Sequence, residues 1–163
     1  MADVMIRKRK RLRSKDIKAL ADELETKLGI KVFSAEDIVD MAESSDFDLI
    51  FVKNDILGLI YGGRPFLTVR GILRYRPERY FVTVDMGAVP FVTNGADIMG
   101  PGIVDADETI EEGDLVWIRD VKNLVPLAIG VSAVSGAELR SHGKGKVIKT
   151  LHNVGDKLWK AGE

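Results

Sequence analysis

Apolar residues at Ile17, Leu20, Ala21, Leu24 and Leu28 fall at i, i+3, i+4, i+7 and i+11, one stripe of a helix of period 3.6. The stripe predicts a helix from Asp16 that ends at Gly29 in a left-handed cap. Ser34 with Asp37 three positions on has the form of a capping box, and Ile38, Met41 and Ala42 supply a short apolar face, so a second helix is expected before Ser44 and Ser45. The texture then changes. Phe47 to Val52, Ile56 to Tyr61 and Phe66 to Val69 are short β-branched and aromatic runs parted by Asn54-Asp55 and Gly62-Gly63, the pattern of a three-strand meander. Helices on one face of such a sheet make residues 16–77 a small α+β domain.

Arg74, Tyr75, Arg76 and Pro77 read as a polar, proline-ended joint, and a domain boundary is placed near Pro77. Beyond it glycines become dense and helical periodicity fades. Strand-like runs recur at Tyr80 to Val84, Leu115 to Ile118, Leu127 to Val134 and Lys146 to Leu151, which predicts a compact barrel or sandwich over residues 78–163.

Composition narrows the chemistry. In 163 residues with 45% hydrophobic content there is ample material for one large core or two small ones. No apolar run is long enough to span a bilayer and no secretory pattern opens the chain, so the expected location is the cytoplasm, with no membrane partner. There is no cysteine and there are two histidines, His142 and His152, which excludes disulfides, thiolate nucleophiles and Cys-ligated zinc; no cofactor or metal is expected. Charge is nearly balanced but unevenly placed. Residues 1–77 carry 15 Lys/Arg against 12 Asp/Glu, and residues 78–163 carry 9 against 13. Arg7, Lys8, Arg9, Lys10, Arg11, Arg13 and Lys15 are opposed before Asp16 only by Asp3, so residues 1–15 read as a basic arm preceding the first domain.

Several motifs fail stricter tests. Gly95 and Gly100 have the spacing of a phosphate-loop pair, but Pro101 stands where a lysine must reach the phosphates. Gly143-Lys144-Gly145-Lys146 lacks both the spacing and the following Ser or Thr. The acidic run Asp105 to Asp114 has its glycine too late for a calcium loop and reads as a solvated turn. The histidines have no nucleophile elbow near them, and His152 is expected to be a structural hydrogen-bonding residue. Trp117 is expected in the core and Trp159 in a short terminal helix. A catalytic role is therefore not assigned. Between Glu138 and Lys160 six cations face two acids, a basic stretch in an acidic half. Lys144 and Lys146 there suit phosphate neutralisation, and an ordinary lysine edge that blunts a strand explains them equally well.

Val84-Asp85-Met86-Gly87-Ala88, Phe91, Asn94 to Ile103, Glu112-Gly113-Asp114-Leu115-Val116, Ala128-Ile129-Gly130, Gly145-Lys146 and His152 to Trp159 together resemble a PUA domain. Arg64 to Arg70 and Leu73 to Pro77 are similar to the segment joining the pre-PUA and PUA domains in the malignant T-cell-amplified sequence and ligatin-like family, whose archaeal short forms have this layout. The resemblance implies an α+β protein: a pre-PUA domain, then a six-stranded PUA pseudo-β-barrel with a short helix near Met86 to Phe91. It implies a non-catalytic RNA-binding protein of translation, with structured RNA (tRNA or ribosomal RNA) and the small ribosomal subunit as partners. A separate protein supplying a start-codon-selecting domain is a further implied partner. The second reading is an accessory subunit of a tRNA- or rRNA-modifying enzyme of the archaeosine transglycosylase or pseudouridine synthase type.

In this picture Gly87, Ala88, Gly95, Ala96 and Gly102 allow close backbone approach, and Asp97, Met99 and Pro101 shape the RNA-contacting loop. Lys144, Lys146 and Lys149 meet phosphates, and the arm from Arg7 to Lys15 reaches a second stretch of RNA and orders as it binds. Gly100 stands where the eukaryotic members carry a cysteine.

Overall fold

The computed structural model describes residues 4–141 and 143–163. In its first half β1 (Arg7–Arg11), β2 (Val39–Glu43), β3 (Asp48–Val52), β4 (Asp55–Tyr61) and β5 (Arg64–Leu67) lie side by side in that order, each antiparallel to the next. The expected meander is β3 to β5. Lys53 and Asn54 both take positive φ, the backbone of the tight turn that matches strand twist between β3 and β4. Helix α1 (Ser14–Leu28) buries Ile17, Ala21, Leu24 and Leu28, and Gly29 ends it at φ 71° with its N–H on the Glu25 carbonyl. Burial of Ile17, Leu24 and Leu28 contributes about 1.5–3 kcal/mol each, and of the Ala21 methyl less. Helix α2 (Val69–Tyr75) starts at Thr68, whose Oγ1 accepts from the Gly71 N–H at 3.1 Å and donates to the Ile56 carbonyl at 2.9 Å. It lies so close to β4 that a Cβ on Gly71 would meet the Leu57 carbonyl oxygen.

Three expectations for this half are corrected. Residues 39–43 form strand β2 rather than a second helix: the Ser34 and Asp37 pairing exists, with the Ser34 N–H on Asp37 Oδ2 at 2.9 Å, but it closes a turn and the chain then enters the sheet. The polar joint at Arg74 is the last turn of α2, closed by Arg76 at φ 52°. The basic run is not an arm outside the domain, because Arg7–Arg11 form edge strand β1, paired in register Arg7 to Glu43 and Arg11 to Asp40.

Asp40 explains that placement. It is buried, and Arg9 Nε reaches its Oδ2 at 2.8 Å while Arg11 Nε bonds its other oxygen. Arg9 also lies 3.9 Å from the centroid of the Phe51 ring and donates to Asn54 Oδ1 at 2.6 Å. Burial pushes the Asp40 carboxyl up, but the guanidiniums of Arg11 and Arg9 outweigh it and hold the group below the ordinary carboxylate range.

The second half holds a six-stranded sheet of order β7-β11-β10-β9-β6-β8, comprising β6 (Phe81–Val84), β7 (Ile98–Met99), β8 (Ile103–Ala106), β9 (Leu115–Asp120), β10 (Pro126–Ser132) and β11 (Lys146–Asn153). Pairing is antiparallel throughout except for β6 beside β9, which run parallel with Phe81 opposite Trp117 and Val84 opposite Asp120. Val82, Val84, Ile98, Ile103, Ile110, Val116, Ile118, Leu139 and Ile148 fill the interior. Trp117 is buried, its Nε1 donating to the Arg79 carbonyl at 2.8 Å. Short helices α3 (Val89–Val92), α4 (Gly136–Arg140) and α5 (Lys157–Ala161) complete the element list. The acidic run begins in β8 with Asp105 and Ala106 and only then becomes the expected turn, with Asp107 accepting from the N–H groups of Tyr80 and Thr109. The chain is thus α+β and divides into two compact units, Met1–Glu78 with Lys160–Glu163, and Arg79–Trp159. Among the described residues no helix is long and apolar enough to cross a membrane.

Candidate nucleic-acid interface

Between β6 and β8 the chain leaves the barrel, turns through α3 and returns, and this excursion opens a cleft of about 290 Å³. Asp85 sets one wall. Its N–H donates to the Gly102 carbonyl at 2.9 Å and its Oδ1 accepts from the Ala88 N–H at 2.9 Å, so the turn into α3 is tied across the mouth. Ala88, Phe91, Val92, Ile98, Met99 and Pro101 give the cleft an apolar lining, with Asp85, Asp97, Gly87 and Gly102 completing it. Phe91 is 67% exposed, Met99 52% and Met86 45%, so two large apolar side chains of the lining, and Met86 on the adjacent turn, face solvent.

Of the residues singled out by sequence, the cleft gathers Gly87, Ala88, Asp97, Met99, Pro101 and Gly102. Gly95, Ala96, Lys144, Lys146 and Lys149 do not line it. Gly95 sits at φ 88° in the turn after α3, and its conformation alone accounts for a glycine there. The Ala96 carbonyl accepts from Thr150 Oγ1 at 2.9 Å. Asp97 uses both oxygens within the fold: Oδ1 accepts from the Thr150 N–H at 2.9 Å and Oδ2 lies 3.4 Å from Lys146 Nζ. Lys146 is the register partner of Met99 across β7 and β11, so its ammonium stands beside the rim, while Lys144 and Lys149 are exposed on the same stretch. Arg140, at the head of that basic stretch, is paired with Asp105 at 3.3 Å and with Glu108.

The glycines separate into two kinds. A Cβ on Gly100 would land on the Gly143 carbonyl oxygen, so the fold itself requires that glycine. Gly87 and Gly102 have no positive φ, and a Cβ on either would make only ordinary contact, 3.4 Å from Asp85 Oδ1 and 3.4 Å from the Ala88 Cβ. Nothing in the packing of the barrel demands glycine at these two cleft positions.

His152 is 1% exposed and its Nδ1 donates to the Asp156 carboxylate at 2.9 and 3.0 Å, as expected of a structural histidine. The same carboxylate accepts from the N–H groups of Asn153 at 2.9 Å and Trp159 at 2.8 Å. Burial pushes the Asp156 carboxyl up, but these donors together hold it below the ordinary carboxylate range. Asn153 carries the staple to the C-terminal end of α3 by donating to the Thr93 carbonyl at 3.0 Å. His142 lies outside the described residues.

Asp85, Phe91, Val92 and Ile98 are the lining residues that sequence reasoning missed as parts of the site, and the first two bear on its chemistry. Phe91 appears in the family pattern, but whether an aromatic in an apolar tetrad faces in or out depends on a helix of four residues, too short to show a period. Asp85 followed three positions on by Ala88 was the available signal, a turn whose carboxylate accepts a backbone N–H.

The pattern of the PUA domain matches residues 80–154, so the second unit is a PUA pseudo-barrel carrying this cleft. Over 156 residues the chain is 38% identical to an uncharacterized protein of Methanocaldococcus jannaschii, with 94% of this chain and 96% of that protein aligned. It is 39% identical over 90 residues to translation machinery-associated protein 20 of Saccharomyces cerevisiae, covering 51% of this chain and spanning 50% of the yeast protein's length. A hypothetical protein of Pyrococcus horikoshii OT3 has the same fold, with a TM-score of 0.83 at 32% identity over 96% of this chain and 100% of that one. The chain belongs to the PUA-domain proteins of the malignant T-cell-amplified sequence and ligatin-like family.

Proposed function

We propose that this chain is a non-catalytic RNA-binding protein that holds an unpaired stretch of structured RNA in the cleft of its PUA domain and acts in translation. One observation carries the reading: an apolar cleft with an exposed aromatic at its rim and two glycines, Gly87 and Gly102, that the protein's own packing does not require. A base stacks on Phe91, and the sugar-phosphate backbone passes close to Gly87 and Gly102 where no side chain intervenes. Asp85 and Asp97 make the cleft itself unsuited to phosphate, so the phosphates run outside it, toward Lys144, Lys146 and Lys149. The place in translation is supported by the similarity to the yeast relative, translation machinery-associated protein 20.

Equilibrium binding to a hairpin RNA with a single-stranded 3′ tail tests both halves of the surface. Phe91→Ala is expected to weaken binding about 10- to 100-fold, the range of one lost base–aromatic stack, with little change in salt dependence. A Lys144, Lys146, Lys149 triple alanine variant is expected to weaken binding and to flatten the plot of log affinity against log salt by about 2 to 3. Unchanged affinity in both variants would remove the cleft as an RNA site. Co-purification from extract is expected to return small ribosomal subunits; recovery of an RNA-modifying enzyme in their place would overturn the translational part alone.

A further inference from the structure

The run from Val4 to Lys15 contains seven cations and no acid, and β1 turns it from a tail into a rigid edge. All five residues of β1 are exposed, and among the described residues β1 has a single neighbour, β2, so its outer edge is open. The cations divide by role. Arg9 and Arg11 are held by buried Asp40, with Arg9 further fixed by Phe51 and Asn54. Arg7 and Lys10 form no ion pair among the described residues, and Lys8 has only Glu43, 3.9 Å away across exposed surface. A contact of that length and exposure is worth little.

An open edge strand invites either another strand or a ligand for its side chains. Here the backbone is protected against the first: Lys8 sits at φ 53°, the register slips between Arg7 and Lys10, and every position bears a positive charge. Bulges and lysines are the devices by which edges avoid pairing, and a second copy of the same strand would be repelled. What the edge offers is an exposed run of side-chain cations, suited to a polyanion. We propose that the outer edge of β1 is a preformed, sequence-independent contact for the sugar-phosphate backbone of RNA, made by Arg7, Lys8 and Lys10, with Arg9 and Arg11 acting as its anchors rather than its ligands.

The proposal rests on the RNA-binding reading of the chain but not on the cleft. It is tested with the full chain, the tailed hairpin RNA and a series of salt concentrations. An Arg7→Ala, Lys8→Ala, Lys10→Ala variant is expected to lower the salt slope by about 2 to 3, since each phosphate contact contributes roughly 0.7–0.9, and to leave the thermal midpoint in place. Lys10→Glu, a single exposed change, is expected to act in the same direction. An unchanged slope in both variants overturns the proposal, as does wild-type binding of poly-glutamate as tight as RNA, which would mark a surface for acidic protein. If the β1 variants lose affinity while Phe91→Ala does not, the cleft reading fails and this one stands; the reverse result sinks this one and keeps the cleft.

Discussion

Asp156→Ala is expected to lower the stability of the PUA unit by about 3 kcal/mol and its thermal midpoint by roughly 10 to 20 °C. The carboxylate accepts from His152 Nδ1 and from the N–H groups of Asn153 and Trp159, and its side chain is one-quarter exposed, so water replaces only part of what is lost. His152 fares worst. Its Nε2 is already buried with no hydrogen-bond partner among the described residues, and removing Asp156 strands the other ring nitrogen in the core as well. A midpoint within 3 °C of wild type in a melt at pH 7 would show that the staple carries little. The pH dependence follows from the same geometry. Because the folded carboxyl titrates below its unfolded value of about 4, its contribution is full above that pH and fades as pH falls through the lower folded value. Wild type and variant should therefore converge in acid and diverge toward neutrality.

Gly100→Ala is expected to cost the barrel about 3 kcal/mol or to displace the loop at 143–145 by enough to weaken RNA binding tenfold or more. The Gly100 N–H donates to the Gly145 carbonyl at 2.8 Å, and the new methyl would occupy the position of the Gly143 carbonyl oxygen. Either outcome separates β7 from β11, and with them Met99 from Lys146. Calorimetry and RNA titration on one preparation distinguish the two costs; a variant normal in both would mean that the loop shifts freely.

How much of this was legible in the chain depends on the range of the interaction. The stripe of α1 and the runs of β3 and β4 are local periodicities that appear where the pattern places them, while the run expected at Phe66 to Val69 yields β5 two residues earlier, at Arg64–Leu67, and gives its last two positions to the cap and first turn of α2. Strand β2 was misread because Ile38, Met41 and Ala42 span too few positions to separate a period of 3.6 from one of 2, and Ile38 turns out to be half exposed. The charge run at 7–15 reads as a free arm only as long as Asp40, 31 residues beyond Arg9, is not known to lie beneath it. Two strands of the barrel, β7 and β8, are two and four residues long and carry no signal of their own. In the cleft, residue identities were readable where the family pattern quotes them, but the distinction between Gly100, needed by the fold, and Gly87 and Gly102, not needed by it, exists only in three dimensions.

Strand β11 lies between β10 and β7, and among the described residues β7 has no other neighbour in the sheet. The floor of the cleft at Ile98 and Met99 therefore cannot be fixed until the C-terminal fifth of the chain has joined it. During synthesis the cleft therefore stays unfinished until β11 has been made and has taken its place between β10 and β7.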